Sequence, residues 1–395
     1  MKILYLTFFF EPDLGAGSFR NTSLVKELSH QIGDTDTVDV ITTYPNRYGT
    51  YKVESSLYEE MGNIKVHRIK VPSHKNGFLD QINSFKTYFL KTKKLIKRQN
   101  YDMVFVSSSR FFSAYLGYSI ARQYKIPLYI DMRDIFIESL DNALKIPFAK
   151  QFIIPCLKFI EKKIFNYAAH VNLISEGFFP YFKKFKCQSY STYTHGIDDM
   201  FLDVSLPDKE INTNSNNPKI ILYAGNIGEC QSLEKIIPPA AKLLGNEYRF
   251  IIVGDGKLRQ KLLDEIKKEN LSNVEIRMPV KREELIKLYA VSDFLFLHLE
   301  DHPAYERVIP SKIFELGALN KPIIAGVAGF ACNFIADNVP NTILFKPCDY
   351  NSMVQLLRNY NYKLVKREKF IADFKRDNIN REMAKSILRL VNIHQ

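Results

Sequence analysis

A lysine and a glutamate stand three residues apart in the last third of the chain, directly after a proline and a serine. Pro310 and Ser311 precede Lys312, and Glu315 follows it. Proline suits the first turn of a helix, so a helix is predicted to begin here. Lys312 and Glu315 lie about one turn apart, so both can face one ligand. Ser311, Lys312 and the free amides suit a phosphate, and Glu315 suits a diol. An ordinary amphipathic helix is the alternative.

Three glycine-containing turns follow predicted strands. They contain Gly15, Ala16 and Gly17; Gly225, Asn226 and Gly228; and Gly254, Asp255 and Gly256. Glycine lets the backbone approach a ligand closely, and helix-start amides can hold an anion. None is the full dinucleotide fingerprint, because Arg259 stands where the third glycine would be. One such turn alone could be a plain connection, but three on one expected sheet edge favour ligand loops.

Alternating strand and helix patterns predict an α/β fold, with parallel sheets covered by helices on both faces. In the first half the predicted elements are 2–7, 18–31, 38–43, 63–71, 102–107, 111–124 and 128–131. In the second half they are 219–224, 232–244, 249–253, 258–269, 273–277, 282–290, 293–297, 321–325 and 342–345. A polar stretch rich in asparagine, 205–218, separates the halves. We predict domains at 1–204 and 219–395 with an interdomain cleft, the last helix packing back on the first domain.

Composition restricts the class of protein. The chain has 395 residues, enough for two domains, and is 46% hydrophobic and 25% charged, which is typical of a globular protein. Its net charge of +12 favours anionic partners such as phosphorylated substrates, an anionic membrane or nucleic acid. The five scattered cysteines favour a reducing cytosol over a zinc ribbon or a disulfide framework. No run of apolar residues has the length of a membrane helix or the pattern of a signal peptide.

The order and spacing of these motifs resemble family 4 glycosyltransferases, which have the GT-B fold. Pro310 to Ala325 resembles their donor-site signature, and the glycine turns with Arg20 resemble their loops. The segment 131–139 resembles a motif of the bacterial surface-polysaccharide members, notably the N-acetyl-fucosaminyltransferase branch. Further matches are 43–46 and 195–198. The resemblance covers nearly the whole chain and implies two Rossmann-like, doubly wound domains.

The resemblance also implies a retaining transfer from a nucleotide diphosphate sugar, with no cofactor and no obligatory metal. It places Ser311 and Lys312 at the diphosphate, Glu315 at the ribose and the backbone near Val280 at the base. The three glycine turns and Arg20 are then donor-binding, and Lys312 is catalytic as well. Fixed cations can stabilise the departing diphosphate without a metal.

Two positions depart from the family pattern. Arg307 stands where many members have a second glutamate, with Glu306 one residue away, so the contacts to the transferred sugar are not assigned. Arg133 and Asp134 stand where many have a histidine and an aspartate. Asp134 and Glu138 are therefore the catalytic candidates on the acceptor side. Surface or capping carboxylates are the alternative for both.

Two patterns are typical of metal sites, but their contexts differ. His298 and His302 stand four apart, as in some zinc sites, but Pro303 and the preceding strand predict a loop there instead of one helical face. Asp34 and Asp36 resemble the pair of a metal-dependent transferase, but they lie between a helix and a strand and are interpreted as a turn. We therefore expect no metal site.

Lysines and aromatic residues alternate in 85–98, 148–163 and 178–186. Such a helix can lie on an anionic membrane with its lysines toward the lipid headgroups, or it can be a core helix with a solvated basic side. Nucleic acid is not an expected partner, because no motif of a nucleic-acid-binding module is present.

We expect a cytoplasmic glycosyltransferase, peripheral on the inner face of the membrane. It would move an (amino)sugar from a UDP-sugar to a polyprenyl-diphosphate-linked saccharide during capsule or O-antigen assembly. One alternative is an enzyme similar to UDP-N-acetylglucosamine 2-epimerase, which shares the fold. The other is a non-catalytic GT-B scaffold that binds nucleotide.

Overall fold

The computed structural model describes residues 1–46, 53–72, 78–108, 111–138, 147–202 and 217–394. The chain divides into two compact units. Unit 1 comprises Met1–His195 and Asp377–Gln395, and unit 2 comprises Gly196–Arg376. The division after His195 comes earlier than the predicted boundary, and most of the predicted linker lies outside the described residues.

Unit 1 is built on an eight-stranded sheet whose interior strands are almost wholly buried, as expected for a parallel sheet between two helix layers. The strands are β1 (Lys2–Leu6), β2 (Thr37–Thr43), β3 (Tyr58–Met61), β4 (Ile64–Ile69), β5 (Met103–Ser108), β6 (Leu128–Met132), β7 (His170–Leu173) and β8 (Tyr190–Ser191). Their order is β3-β4-β2-β1-β5-β6-β7-β8. Only the edge strand β3 pairs antiparallel to its neighbour in this sheet.

Helices cover both faces of the unit 1 sheet. They are α1 (Ala16–Gln31), α2 (Phe78–Ile96), α3 (Phe111–Tyr124), α4 (Pro147–Tyr167) and α5 (Phe179–Phe182). The buried side chains of α1 pack with Tyr5 and Phe105 on one face. Gly117 of α3 lies against Val106 and Leu128, on the other face. The helices α2 and α4 lie beside α3, which they contact through Phe85 and Tyr167.

Unit 2 is a six-stranded, all-parallel sheet. Its strands, in the order β11-β10-β9-β12-β13-β14, are β9 (Lys219–Ala224), β10 (Tyr248–Val253), β11 (Val274–Arg277), β12 (Phe294–His298), β13 (Ile323–Gly326) and β14 (Thr342–Phe345). The helices are α6 (Leu233–Leu244), α7 (Arg259–Lys268), α8 (Arg282–Val291), α9 (Lys312–Gly317), α10 (Gly329–Asn338), α11 (Tyr350–Arg358) and α12 (Glu368–Phe374). Separate apolar clusters fill the two faces, so this unit is doubly wound as predicted.

The last helix, α13 (Arg376–His394), belongs almost wholly to unit 1. Met383, Ala384 and Ile387 are fully buried in the cluster that also contains the apolar side of α1. Among the described helices, none has both the length and the apolar content required to cross a membrane.

A buried ion pair ties these elements of unit 1 together. The Arg20 guanidinium donates to both carboxylate oxygens of Asp131, at 3.1 Å each, and both side chains are inaccessible to solvent. Arg20 also donates to the carbonyl oxygens of Tyr193 and Thr194 and contacts the Met383 sulfur. Asn172 donates to Asp131 at 2.7 Å. One charged cluster therefore joins α1, β6, β7 and α13.

Removing the cation from this pair is expected to destabilise unit 1 strongly. Arg20→Leu leaves the Asp131 carboxylate buried without its counter-ion, which costs about 3–5 kcal/mol. The first urea-unfolding transition, followed by circular dichroism, should move to lower denaturant. Arg122→Leu, which changes an exposed arginine of α3, is the matched control. Equal midpoints for the two variants would contradict the assignment.

Candidate functional site

Two glycine turns of unit 2 pack against each other at the carboxyl ends of β9 and β10. The amide of Ile227 donates to the carbonyl of Asp255 at 2.9 Å, and the amide of Leu258 donates to the carbonyl of Ile227 at 2.9 Å. The structure thus brings together Gly225–Gly228 and Gly254–Gly256, which were predicted separately. Ligands of parallel α/β sheets bind beyond this edge.

The close contact of the two turns explains their glycines. A Cβ on Gly254 would collide with the carbonyl oxygen of Gly225. Gly256 has φ of +155°, and a Cβ there would lie 2.5 Å from the carbonyl oxygen of Ile227. Glycine is the residue that tolerates both the approach and the dihedral. These two glycines are therefore required by the packing of the turns, whatever ligand they also contact.

Two side-chain amides meet on these turns. Asn226 Nδ2 donates to Gln231 Oε1 at 2.9 Å, and a Cβ on Gly228 would press on the same Asn226 amide. The backbone carbonyl of Asn226 accepts from the Tyr223 hydroxyl at 2.6 Å. Sequence reasoning identified Asn226 but missed Gln231, which no sequence pattern indicates.

Lys312 and Glu315, which their spacing predicted to face one ligand, form an ion pair with each other. The Lys312 Nζ lies 2.8 Å from Glu315 Oε2, and their side chains are 23% and 18% exposed. The helix α9 that carries them is only six residues long. Ser311 precedes it with helical dihedrals, and its side chain makes no capping hydrogen bond. The pair is thus accessible to a ligand yet fixed by a packed helix.

Tyr289 lies directly behind this ion pair, and no sequence pattern indicated that it would. Its side chain is fully buried, and its hydroxyl lies 3.4 Å from Glu315 Oε2. Burial, followed by the charge of Glu315, raises the tyrosine pKa well above its ordinary value. Tyr289 is therefore a neutral donor that helps to orient the Glu315 carboxylate. Val280, which follows β11, is half-buried and packs against the apolar cluster of unit 2 that contains Tyr289.

His298 is a structural residue, the last of β12. Its Nε2 accepts from the amide of Cys348 at 2.9 Å, so Nδ1 carries the proton and donates to the Gln231 carbonyl at 2.7 Å. Burial lowers the pKa of His298 to about 4. His302 Nδ1 accepts from the amide of Ala304. Within the described ranges, no group of histidine, cysteine and carboxylate side chains could hold a metal ion.

On unit 1, the first glycine turn opens α1 and contacts an arginine. Gly15 has φ of +151° and immediately precedes the helix. A Cβ on Gly17 would overlap the Arg133 guanidinium, so that guanidinium lies directly on the backbone at the start of α1. Ala16 is partly exposed there. The turn therefore combines free helix-start amides with an adjacent cation.

The structure assigns Arg20 a different environment from the predicted one. Its full burial and its contacts with Asp131, Tyr193 and Thr194 leave no guanidinium nitrogen facing solvent. We therefore regard Arg20 as a structural residue instead of a donor contact.

Asp134 and Glu138 follow β6 and are half-buried. Glu138 lies near a second carboxylate, Glu161 of α4, which the sequence did not mark. Burial raises the pKa of Glu161 to about 7, with a small contribution from the charge of Glu138. Tyr181 donates to both oxygens of Glu161, at 2.9 and 2.8 Å. Glu138 thus lies near a carboxyl group whose pKa is raised to about 7.

Comparison with known proteins identifies the fold. Residues 206–375 match the family Glycosyl transferases group 1. Sucrose-phosphate synthase from Thermosynechococcus elongatus has 15% identity and a TM-score of 0.75, with 99% of each chain covered. HepE from Anabaena, solved with UDP and glucose, has 17% identity and a TM-score of 0.68, with 98% of this chain and 99% of that chain covered. The fold is GT-B.

One curated sequence gives a partial match. The colanic acid biosynthesis glycosyl transferase WcaI of Escherichia coli (strain K12) is 32% identical over 123 residues. These residues are 31% of this chain and 28% of WcaI, so less than a third of that relative's length is matched. The predicted GT-B fold is confirmed, and the family match lies in the half that carries Lys312 and Glu315. The N-acetyl-fucosaminyltransferase branch stays a prediction.

His298 gives a specific pH dependence of stability. Because its folded pKa is lowered, the unfolded chain binds a proton between pH 6.5 and 4 that the folded chain does not, so stability falls as pH falls through that window. The loss between pH 7 and pH 5 should be about 2 kcal/mol.

Urea unfolding of the wild type and of His298→Asn at the two pH values isolates this loss, because the shifted pKa values of His170 and Glu161 affect both proteins equally. His298→Asn should be less stable at pH 7 and should depend less on pH. An equal pH dependence in the variant and the wild type would contradict the role of His298.

Proposed function

We propose that this chain is a retaining glycosyltransferase. It transfers an (amino)sugar from a UDP-sugar to a polyprenyl-diphosphate-linked saccharide in bacterial surface polysaccharide assembly, such as capsule or O-antigen synthesis. The main support for this proposal is the accessible Lys312–Glu315 ion pair, which lies within the residues that match the glycosyltransferase family. A cation and a carboxylate side by side match the two polar ends of a nucleoside diphosphate, its phosphates and its ribose diol.

In this proposal, contacts with the donor replace the contact between Lys312 and Glu315. The diphosphate binds Lys312, and the ribose hydroxyls donate to Glu315, which Tyr289 keeps oriented. Lys312 then stabilises the negative charge that grows on the departing UDP. Because the pair is partly exposed, its own contribution is only about 0–1 kcal/mol, so little is lost on exchange.

The glycine turns supply the remaining donor contacts. The Asn226 and Gln231 amides, linked at 2.9 Å, offer hydrogen bonds to phosphate or sugar oxygens. The backbone of Gly225–Gly228 and Gly254–Gly256 can approach the same phosphate or sugar oxygens closely, because its glycines have no side chains. The backbone near Val280 meets the base, and Ser311 adds a hydroxyl beside Lys312.

Unit 1 holds the acceptor. The turn with Gly15, Ala16 and Gly17, together with Arg133, suits a phosphate of the donor or of the lipid diphosphate. Asp134 and Glu138 are the catalytic candidates for the acceptor hydroxyl. The reaction needs no metal, since fixed cations and backbone amides stabilise the leaving group.

The acceptor lipid requires contact with a membrane. We propose that unit 1 lies on the anionic inner face of the cell membrane, with the protein otherwise in the cytoplasm. The helix α2 and the residues just after it expose Lys91, Lys94, Lys97 and Arg98. Each basic residue near an anionic surface contributes about 1 kcal/mol.

Incubation with a panel of UDP-sugars, with and without excess EDTA, tests the function. Slow UDP release, and sugar transfer when a lipid-linked saccharide is added, are expected in both conditions. Loss of turnover in EDTA, restored by manganese or magnesium, would contradict the metal-free donor site. An epimerised sugar would indicate a 2-epimerase, and binding without turnover would indicate a nucleotide-binding scaffold.

Glu315→Gln tests the donor site directly. The variant should bind UDP more weakly by about 1.5–3 kcal/mol, because a charge-assisted hydrogen bond to the ribose is weakened. Isothermal titration calorimetry measures this difference. Glu284→Gln, an exposed position on α8, is the matched control.

Pyrophosphate, which lacks the ribose, separates the two roles of the ion pair. Glu315→Gln should bind it as tightly as the wild type or more tightly, because Lys312 loses its competing partner. Unchanged UDP affinity in the folded variant would refute the assignment of Glu315.

A further inference from the structure

The helix α4 carries apolar side chains on two opposite faces. Leu157, Ile164 and Phe165 are buried and fix the helix to unit 1. Phe152 and Phe159 lie on the opposite face and are 62% and 59% exposed. Cys156, at helical spacing between them, is exposed too, and Ile153 beside them is 39% exposed. We name Phe152, Ile153, Cys156 and Phe159 the aromatic stripe.

A single exposed apolar residue is ordinary, but a stripe with two phenylalanines on one helix face is not. A surface helix of a globular protein has one apolar face and one polar face. On α4, the face with Leu157, Ile164 and Phe165 is the one that packs on the core. The second face is more stable when water is removed from it, so it predicts a partner of low polarity.

The charges beside the stripe show what kind of partner fits. Lys158, Lys162 and Lys163 are exposed on α4, and the Lys163 Nζ lies 4.3 Å from the centre of the Phe159 ring. Among the α4 side chains that the structure describes, the one carboxylate is Glu161, and it is buried against Tyr181. The exposed surface of this helix is thus apolar and cationic.

The stripe lies on the same side of unit 1 as the basic helix α2. The helix α3 lies between them, with Phe112 stacked on Phe85 of α2 at 5.1 Å and Tyr118 against Tyr167 of α4 at 5.4 Å. On α2, Leu90 is 57% exposed between the exposed lysines Lys86 and Lys91. Two cationic helices with exposed apolar side chains therefore flank α3.

We propose that the aromatic stripe of α4 inserts among the lipids of an anionic bilayer. Phenylalanines enter the boundary between headgroups and acyl chains, while long lysine side chains extend to the phosphates. The cations oppose a second copy of the same surface, since like charges would face each other. This inference rests on the proposed membrane attachment and identifies the segment that provides its apolar part.

The sequence contains no tryptophan, so one introduced indole reports on a single position. Phe159→Trp places it in the stripe. Leu356→Trp, at a 41% exposed position on α11 of unit 2, is the matched control. With vesicles of phosphatidylglycerol and phosphatidylcholine, fluorescence of the Phe159→Trp variant should shift to the blue and be quenched by brominated acyl chains. The control should show neither change.

Co-sedimentation separates insertion from charge. The double variant Phe152→Gln with Phe159→Gln should partition onto the same vesicles at least about tenfold less, and the loss should persist in high salt. Neutralising Lys91, Lys93, Lys94, Lys97 and Arg98 should weaken binding mainly at low salt. Circular dichroism and UDP titration should match the wild type in both variants.

Three outcomes would overturn the proposal: no vesicle-induced change in the Phe159→Trp variant, equal changes in its control, or a blue shift that grows with protein concentration without vesicles. The last would identify a second copy of the chain as the partner. If UDP fails to bind the wild type while the stripe still inserts, the proposed transferase function fails and the membrane contact stands.

Discussion

The buried ion pair between Arg20 and Asp131 is the interaction on which unit 1 depends. Neither charge can be hydrated, so each needs the other and the surrounding carbonyls and amides. Asp131 lies two residues before Arg133, and Arg20 lies three after Gly17. The pair therefore holds β6 and the start of α1 together, and Arg133 comes to lie on the Gly17 backbone. A charged contact in the core thus positions the polar edge above it.

Unit 2 builds its edge by a different means, with backbone contacts between glycine turns. The absence of side chains at Gly254 and Gly256 lets one turn donate and accept hydrogen bonds with the other. His298 adds a second link, joining the Gln231 carbonyl to the Cys348 amide while remaining neutral. The result is a rim on which hydrogen bonds hold Asn226 and Gln231.

Most of the fold was predictable, because buried parallel strands appear in the sequence as short apolar runs. The ends of the observed strands differ from the predicted ends by about two residues. The short strands β3, β7 and β8 were missed, since their sequences carry little apolar pattern. Local spacing also predicted that Lys312 and Glu315 share one side of a helix, but it did not predict that they pair with each other. It could not predict that Arg20 is buried, because its partner Asp131 lies 111 residues away. Tyr289 was missed for the same reason, because it meets Glu315 by a tertiary contact. Gln231 is only five residues from Asn226, but no sequence pattern indicates that their side-chain amides meet.

In the proposed donor site, the ion pair between Lys312 and Glu315 leaves neither charge unpaired. Lys312 alone at a ligand-binding edge would carry an unpaired charge, and Glu315 alone would repel the phosphates of an incoming nucleotide. When they are paired at 2.8 Å, their opposite charges largely neutralise each other's electric field. The fully buried Tyr289 contacts the carboxylate of this pair. The lysine side chain is flexible, so it can turn toward a diphosphate while the carboxylate stays in place for the ribose. In the proposed function, this arrangement would favour a nucleoside diphosphate over a simple phosphate, because only the former satisfies both Lys312 and Glu315.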